Sequence, residues 1–439
     1  MTGATSVPSL TADLLDVLDR TIRAADRDRA ALHLLDWLGC ALAGQAEPVG
    51  RALLQGDAPF RQAGAGTAEA AGIMGGLGSL LEMDDVHKAA LLHPGPVVGA
   101  TVAALPGRDP LRALLRGYEA MIRLGRAVGP AHYARFHNTG TCGGIGAAVA
   151  AATALELSSE TTLHAIGHAM SLASGLWQCR NEPVETKHLH VSEAARRGVQ
   201  AALWAQAGLP GPRFILDGPQ GFFAGMAPDG TPARVIAEES DWLIHQVSFK
   251  PWPACRHAHA AIDAALALRD RMDGPPAAIR IDSYRDALVF CDRLTPVTAA
   301  QARFSLQHSV AVALRDGAPS PGAFEPAALP GYADLRALTT VAEDPALTAA
   351  YPARFGATVT VTTTSGQTLS HLAADAWGDP EHPMDAAALR AKFDRLTYWA
   401  GVPGSLRAEL AATVLALPAT GDAAALTACL HRIPATARR

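Results

Sequence analysis

Helical spacing built from small residues runs through the first two-thirds of this 439-residue chain and breaks off at Asp273-Gly-Pro-Pro276. Leu15, Leu18 and Ile22 recur at helical intervals, as do Leu35, Leu38 and Leu42. The stretches from Ala147 to Leu155 and from Ala194 to Ala207 are rich in alanine, the strongest helix former and one with no bulk to hold neighbouring helices apart. After the turn signal at 273–276 the period changes. Ala278 to Tyr284 alternates, with Ile279, Ile281 and Ser283 on one side, and residues 357–364 and 367–372 flank Ser365-Gly366 as a predicted β-hairpin. A Pro- and Gly-rich loop at 316–332 lies between them, and past Trp377-Gly-Asp-Pro380 helical spacing returns with Leu389, Phe393 and Leu396. The expected fold class is mainly α: a large all-helical domain from residues 1–269 and 379–439, with a smaller α+β domain inserted at 270–378.

Composition removes several function classes. A net charge of −5 argues against a nucleic-acid surface, which needs a clustered basic excess. No uninterrupted apolar run reaches the roughly 20 residues of a membrane helix. The opening MTGATSVPSLTADLLDVLDR carries acids and lacks a basic start with an apolar core, so no signal peptide is expected. Six cysteines without a paired framework fit a reducing compartment, and the expected location is the cytoplasm.

Lysine is scarce. Lys88, Lys187, Lys250 and Lys392 stand against 33 arginines. Where a generic cation serves, this chain uses arginine, so the surviving lysines are enriched for sites that need a compact ammonium rather than a planar fork.

Four polar clusters sit in apolar, small-residue surroundings. The first is Glu82-Met-Asp84-Asp85-Val86-His87, followed by Leu92-His93-Pro-Gly95; taken alone it also reads as a solvated helix end. The second is Phe136-His137-Asn-Thr139, leading into Gly143-Gly-Ile-Gly146. No strand precedes these glycines, which excludes a dinucleotide loop, whereas a helix starting after them would offer backbone N–H groups to a carboxylate. The third is Thr186-Lys187-His188-Leu-His190, ahead of a helix expected near Ser192. The fourth is Phe249-Lys250-Pro-Trp-Pro-Ala-Cys255-Arg-His257-Ala-His259, ahead of a helix at Ala260. Single histidines of this kind are commonly satisfied core or cap residues. The repeated combination of lysine, histidine and helix start favours anion binding instead. The His188-x-His190 and His257-x-His259 pairs leave a metal-dependent hydrolase open, without the further ligand that such a site requires. Cys142 and Cys255 are expected to be buried and inert.

These segments, with Leu35-Asp-Trp-Leu-Gly-Cys-Ala-Leu-Ala-Gly44, Arg303-Phe-Ser-Leu306, Gly378-Asp-Pro380 and Lys392-Phe393, resemble the MmgE/PrpD family in order along most of the chain. The family includes 2-methylcitrate dehydratases, cis-aconitate decarboxylases and an iminodisuccinate epimerase. The resemblance implies a small polycarboxylate substrate, a homodimer, and catalysis with no metal or organic cofactor. Carried across, it implies His93, His137, Lys187 and Lys250 as catalytic residues. The decarboxylase branch's aspartate falls on Glu82, its threonine on Val86 and its tyrosine on His308, which becomes a possible third proton-exchanging histidine. Glu82, Asp84, Asp85, Val86, Thr139, His190 and His259 are expected around the substrate. The expected reaction is a dehydratase-like elimination at a carbon beside a carboxylate; an epimerase or isomerase using the same proton chemistry is the alternative. Buried cations would stabilise the extra charge on that carboxylate, and histidine exchanges a proton near neutral pH.

Overall fold

Helix α1 (Ala24–Gly44) starts where the Asp26 carboxylate turns back to accept the Arg23 backbone N–H at 2.7 Å, satisfying an amide that the helix itself leaves unbonded. The computed structural model describes residues 8–57, 66–182 and 184–431. The first seven residues of the opening stretch lie outside that description, and Ile22 lies beyond the short helix Leu10–Leu18 that carries Leu15. The chain divides into two compact units, the first formed by residues 1–80, 84–247 and 386–439 and the second by 81–83 and 248–385.

The first unit is helical. Its central members are α1, α2 (Thr67–Ser79), α3 (Pro110–Ala127), α4 (Asn138–Ala154) and α5 (Thr186–Gln206). Leu35, Val98, Ile145, Ala194 and Val199 are among the residues of one continuous apolar core. The alanines and glycines explain how closely these helices pack. A Cβ at Gly198 on α5 would lie 2.2 Å from the Ala147 Cβ on α4, so only glycine fits there.

The second unit contains α6 (His259–Arg269), α7 (Leu306–Asp316) and a four-stranded sheet. Strands β1 (Pro276–Ser283), β2 (Thr339–Glu343), β3 (Ala357–Thr363) and β4 (Thr368–Ala373) are ordered β2-β1-β3-β4. The β1–β2 pair is parallel with Ile281 opposite Val341, while β1–β3 and β3–β4 are antiparallel. The alternation seen in the sequence is the burial pattern: Ile279, Ile281 and Ser283 point inward, as do Val359 and Val361 on β3. The loop at 316–332 contains two short 3-10 turns, Pro321–Phe324 and Leu329–Tyr332.

This unit begins at residue 248 rather than 270. Helix α6 packs on β3, β4 and α7, so the turn at 273–276 joins a helix to a strand within one unit. At its far end, Asp379 accepts from Ser248 Oγ at 2.6 Å and pairs with Arg256, while the Phe249 N–H donates to the Gly378 carbonyl at 2.9 Å. Gly378 sits at φ +100°, and a Cβ there would meet the Phe249 oxygen at 2.2 Å.

Helix α8 (Ala386–Trp399) returns to the first unit, with Leu389, Phe393 and Leu396 buried on it. Lys392, on the same helix, is fully buried and bonds the Asp36 carboxylate of α1 at 2.5 Å. Burial works against the Lys392 ammonium, but Asp36 outweighs it and holds its pKa above the ordinary value. One of the four lysines is thereby a framework residue. Lys392→Met is expected to cost about 3–5 kcal/mol by stranding Asp36, and the double change Lys392→Met/Asp36→Leu far less. Urea unfolding midpoints check both. Among the described residues no helix is long and apolar enough to cross a membrane.

Candidate active site

In the first unit the acidic stretch is buried rather than solvated: Asp84 and Asp85 are 3% and 2% exposed. The two aspartates do different work. Asp85 is saturated by protein donors: its Oδ1 accepts the Gly95 N–H at 2.8 Å, and its Oδ2 accepts the Tyr118 hydroxyl at 2.8 Å and faces His33 Nδ1 at 2.7 Å. Burial pushes this carboxyl up to about 6 against the Gly95 and Tyr118 hydrogen bonds. Asp85 therefore fixes the His93-Pro-Gly95 loop.

Asp84 instead serves His93. The ring Nδ1 lies 2.9 Å from Asp84 Oδ2 and 2.8 Å from the Asp85 carbonyl. Both partners only accept, so Nδ1 carries the proton and, in the neutral ring, Nε2 holds the lone pair; the side chain is 16% exposed. The His93 backbone N–H donates to Thr139 Oγ1 at 3.1 Å, and Asn138 Nδ2 donates to the Ala90 carbonyl at 2.9 Å. Thr139, wholly buried, is thus a brace between the His93 loop and α4. Val86 is buried beside them.

Helix α4 starts at Asn138, ahead of the glycines rather than after them. Gly140, Gly143 and Gly146 lie inside it and allow close packing, so the expected start after Gly146 is corrected. His137 is its N-cap: its carbonyl accepts the Gly140 and Thr141 N–H groups, and its own N–H donates to the Gly175 carbonyl at 2.8 Å. The ring packs near Trp177, at 4.5 Å between centroids, and near His190, at 5.6 Å. Its Nδ1 is enclosed with no partner among the described residues. Burial, followed by the charge of Lys187 and the neighbouring His190, His93 and His188, holds the His137 pKa well below its ordinary value.

Helix α5 begins at Thr186, not near Ser192, so the Lys-His-Leu-His run occupies its first turn. The helical period then separates the residues. Lys187 and His190, three apart, are half-buried toward His137, whereas His188 turns inward and bonds Ser79 Oγ at 2.8 Å. His188 and His190 consequently face different surroundings.

The second unit carries the other sequence-derived candidates. Lys250 is completely buried, with its Nζ 3.8 Å from Glu82 Oε2. Glu82 has φ +54°, a left-handed conformation that costs a non-glycine residue roughly 1–2 kcal/mol. Such cost is characteristic of positions held for function. His257 Nδ1 meets the Tyr284 hydroxyl at 2.5 Å, and the ring stacks on Phe290 and Phe355. His259 Nε2 bonds the Ala254 carbonyl at 3.0 Å, within its own chain segment. His308 is spent inside the protein as well. Its Nδ1 lies 3.2 Å from Arg336 Nη1, a donor, so Nε2 carries the proton to the Ala323 carbonyl at 3.0 Å. Burial lowers its pKa to about 4. Cys142 and Cys255 are buried, and burial pushes the Cys142 thiol up to about 12.

Trp177, His33 and Tyr118 are the members that sequence reading missed. Trp177 opens a 3-10 turn, while His33 and Tyr118 sit on helices far from Asp85 in sequence. None belongs to a local motif.

Known proteins were then compared with the chain. Residues 20–234 match the MmgE/PrpD N-terminal domain and residues 252–414 the MmgE/PrpD C-terminal domain. The chain belongs to the MmgE/PrpD family. Among curated members, the cis-aconitate decarboxylase of Homo sapiens is 32% identical over 54% of this chain and 53% of its own length. That of Mus musculus is 31% identical over 54% of this chain and 52% of its own. A cis-aconitate decarboxylase-like protein of Aspergillus oryzae is 27% identical over 60% and 62%. These matches span about half to three-fifths of each relative.

Proposed function

We propose that this MmgE/PrpD protein is a cofactor-independent lyase of the dehydratase type, acting at a carbon adjacent to a carboxylate of a small di- or tricarboxylic acid. The observation that carries this reading is the Asp84–His93 pair, set in the same helical unit as His137, Lys187 and His190. A carboxylate-oriented imidazole is built to take a proton. The cations nearby stabilise the charge that grows on a substrate carboxylate as the C–H bond breaks. The relatives' decarboxylase names support a polycarboxylate substrate. The reading includes a cytoplasmic homodimer that works without metal or organic cofactor.

Val86 and His308 replace the two hydroxyl groups that the decarboxylase branch carries, and both are buried. The reading therefore places cis-aconitate outside the preferred substrates. Epimerisation would use the same C–H cleavage, and one assay serves both outcomes. The enzyme is incubated in deuterated water with citrate-like, tartrate-like and aspartate-derived acids, and NMR follows label at the carbon beside the carboxylate. Exchange that survives exhaustive chelation is expected, with alkene formation marking the lyase and stereochemical scrambling the epimerase. Absence of exchange with every polycarboxylate would defeat the reading, and efficient CO₂ release from cis-aconitate would defeat the specificity claim.

A further inference from the structure

The two histidines are equivalent in the sequence but not in the structure. His93 has acceptors on Nδ1 from two residues, Asp84 Oδ2 at 2.9 Å and the Asp85 carbonyl at 2.8 Å. His137 has neither: its Nδ1 is sealed without a partner among the described residues, and Trp177 and His190 are its neighbouring rings. Resting on the proton-transfer reading above, we infer that the roles are split: His93 is the base that removes the substrate proton through Nε2, and His137 is a neutral N–H donor acting through its own Nε2.

For His93 the argument is one of tautomer. Two acceptors at Nδ1 place the proton there, so in the neutral ring Nε2 has a lone pair and no hydrogen. Asp84 is a positioning residue in this scheme. It holds the ring and stabilises the imidazolium formed when Nε2 accepts a proton.

For His137 the same accounting gives the opposite result. A proton on the sealed Nδ1 would be a buried N–H with no acceptor, which costs about 1–3 kcal/mol. Placing it on Nε2 avoids that cost. Charging the ring would strand that N–H again and add a cation. Its largest electrostatic neighbours are Lys187, His190, His93 and His188, and no carboxylate stands among them. The ring stays neutral and donates a hydrogen bond from Nε2, suited to an oxygen that gains charge or departs. The proton balance is simple. The C–H proton passes to His93 Nε2 as the electron pair moves onto the carboxylate; His137 keeps its proton and hydrogen-bonds the charged or departing oxygen through Nε2, and the His93 imidazolium returns the proton to the departing oxygen or to the carbon.

The test observes the full-length protein before any substrate is added. Histidine is labelled with 15N, and long-range proton–nitrogen correlation spectra at pH 7 report which ring nitrogen is protonated. His93→Gln and His137→Gln identify the two rings, with His93→Asn and His137→Asn as second choices if either glutamine variant fails to fold. The expected spectra show His93 protonated at Nδ1 with bare Nε2, and His137 protonated at Nε2 with bare Nδ1. A His93 proton on Nε2, a His137 proton on Nδ1, or an imidazolium at His137 would overturn the split. Because this readout needs no turnover, it is separate from the solvent-exchange assay, whose failure would count against the reaction class instead.

Discussion

Replacing Lys187 or Lys250 by arginine is expected to lower turnover on the order of 100-fold or more, the scale of losing one preorganised charge-stabilising donor. Charge is conserved in both variants, so a loss would report shape and placement. Lys250 has no exposed surface and lies 3.8 Å from Glu82, which leaves no room for a guanidinium fork. Lys187 is half-buried on the first turn of α5, on the same face as His190, and its charge is felt at His137. A planar fork in its place would spread that charge and carry the donors further along the stem. The combined change Lys250→Met/Glu82→Gln removes both members of the buried pair and separates folding from chemistry. It should retain a cooperative urea transition while turnover is lost. Near-native turnover in both arginine variants would remove these residues from the reaction.

Much of this was legible from residue type and spacing. Alternation at Ile279, Ile281 and Ser283 and the 357–372 hairpin are local patterns, and local patterns survive into the sheet. Lysine scarcity pointed to Lys187 and Lys250 but could not separate them from Lys392, whose Asp36 partner lies 356 residues away in sequence. Long-range pairing has no sequence signature. The same limit concealed the difference between Asp84 and Asp85. Adjacent aspartates look alike until Tyr118 and His33 take one and His93 takes the other. Helix boundaries failed where glycine and histidine seemed to forbid an earlier start. At Asn138 and Thr186 the packing of α4 against α5 outweighs weak intrinsic propensity, and glycine is present because the helices touch. The domain boundary was misplaced for a related reason: a strong turn marks an element's end, whereas only packing shows which unit the preceding helix covers.

His93→Gln is expected to reduce substrate C–H exchange by roughly 10²–10⁴-fold, the usual contribution of a positioned general base. Glutamine keeps a polar group of similar reach, so the loop anchored by Asp85 and Gly95 should hold, and an unchanged unfolding midpoint would show it. Asp84→Asn should cost less, because the Asp85 carbonyl still accepts from Nδ1 and preserves the tautomer. What it loses is the negative charge that stabilises the imidazolium, so kcat should fall while KM stays near the native value. The double variant separates two roles for Asp84. If this carboxylate acts only through His93, removing it from an enzyme that already lacks the ring should make little further difference, since residues acting as a unit are not additive. If Asp84 instead touches substrate, the two losses should multiply, and KM should rise in Asp84→Asn alone. Exchange retained at near-native rate in His93→Gln would exclude His93 as the base, whatever its tautomer.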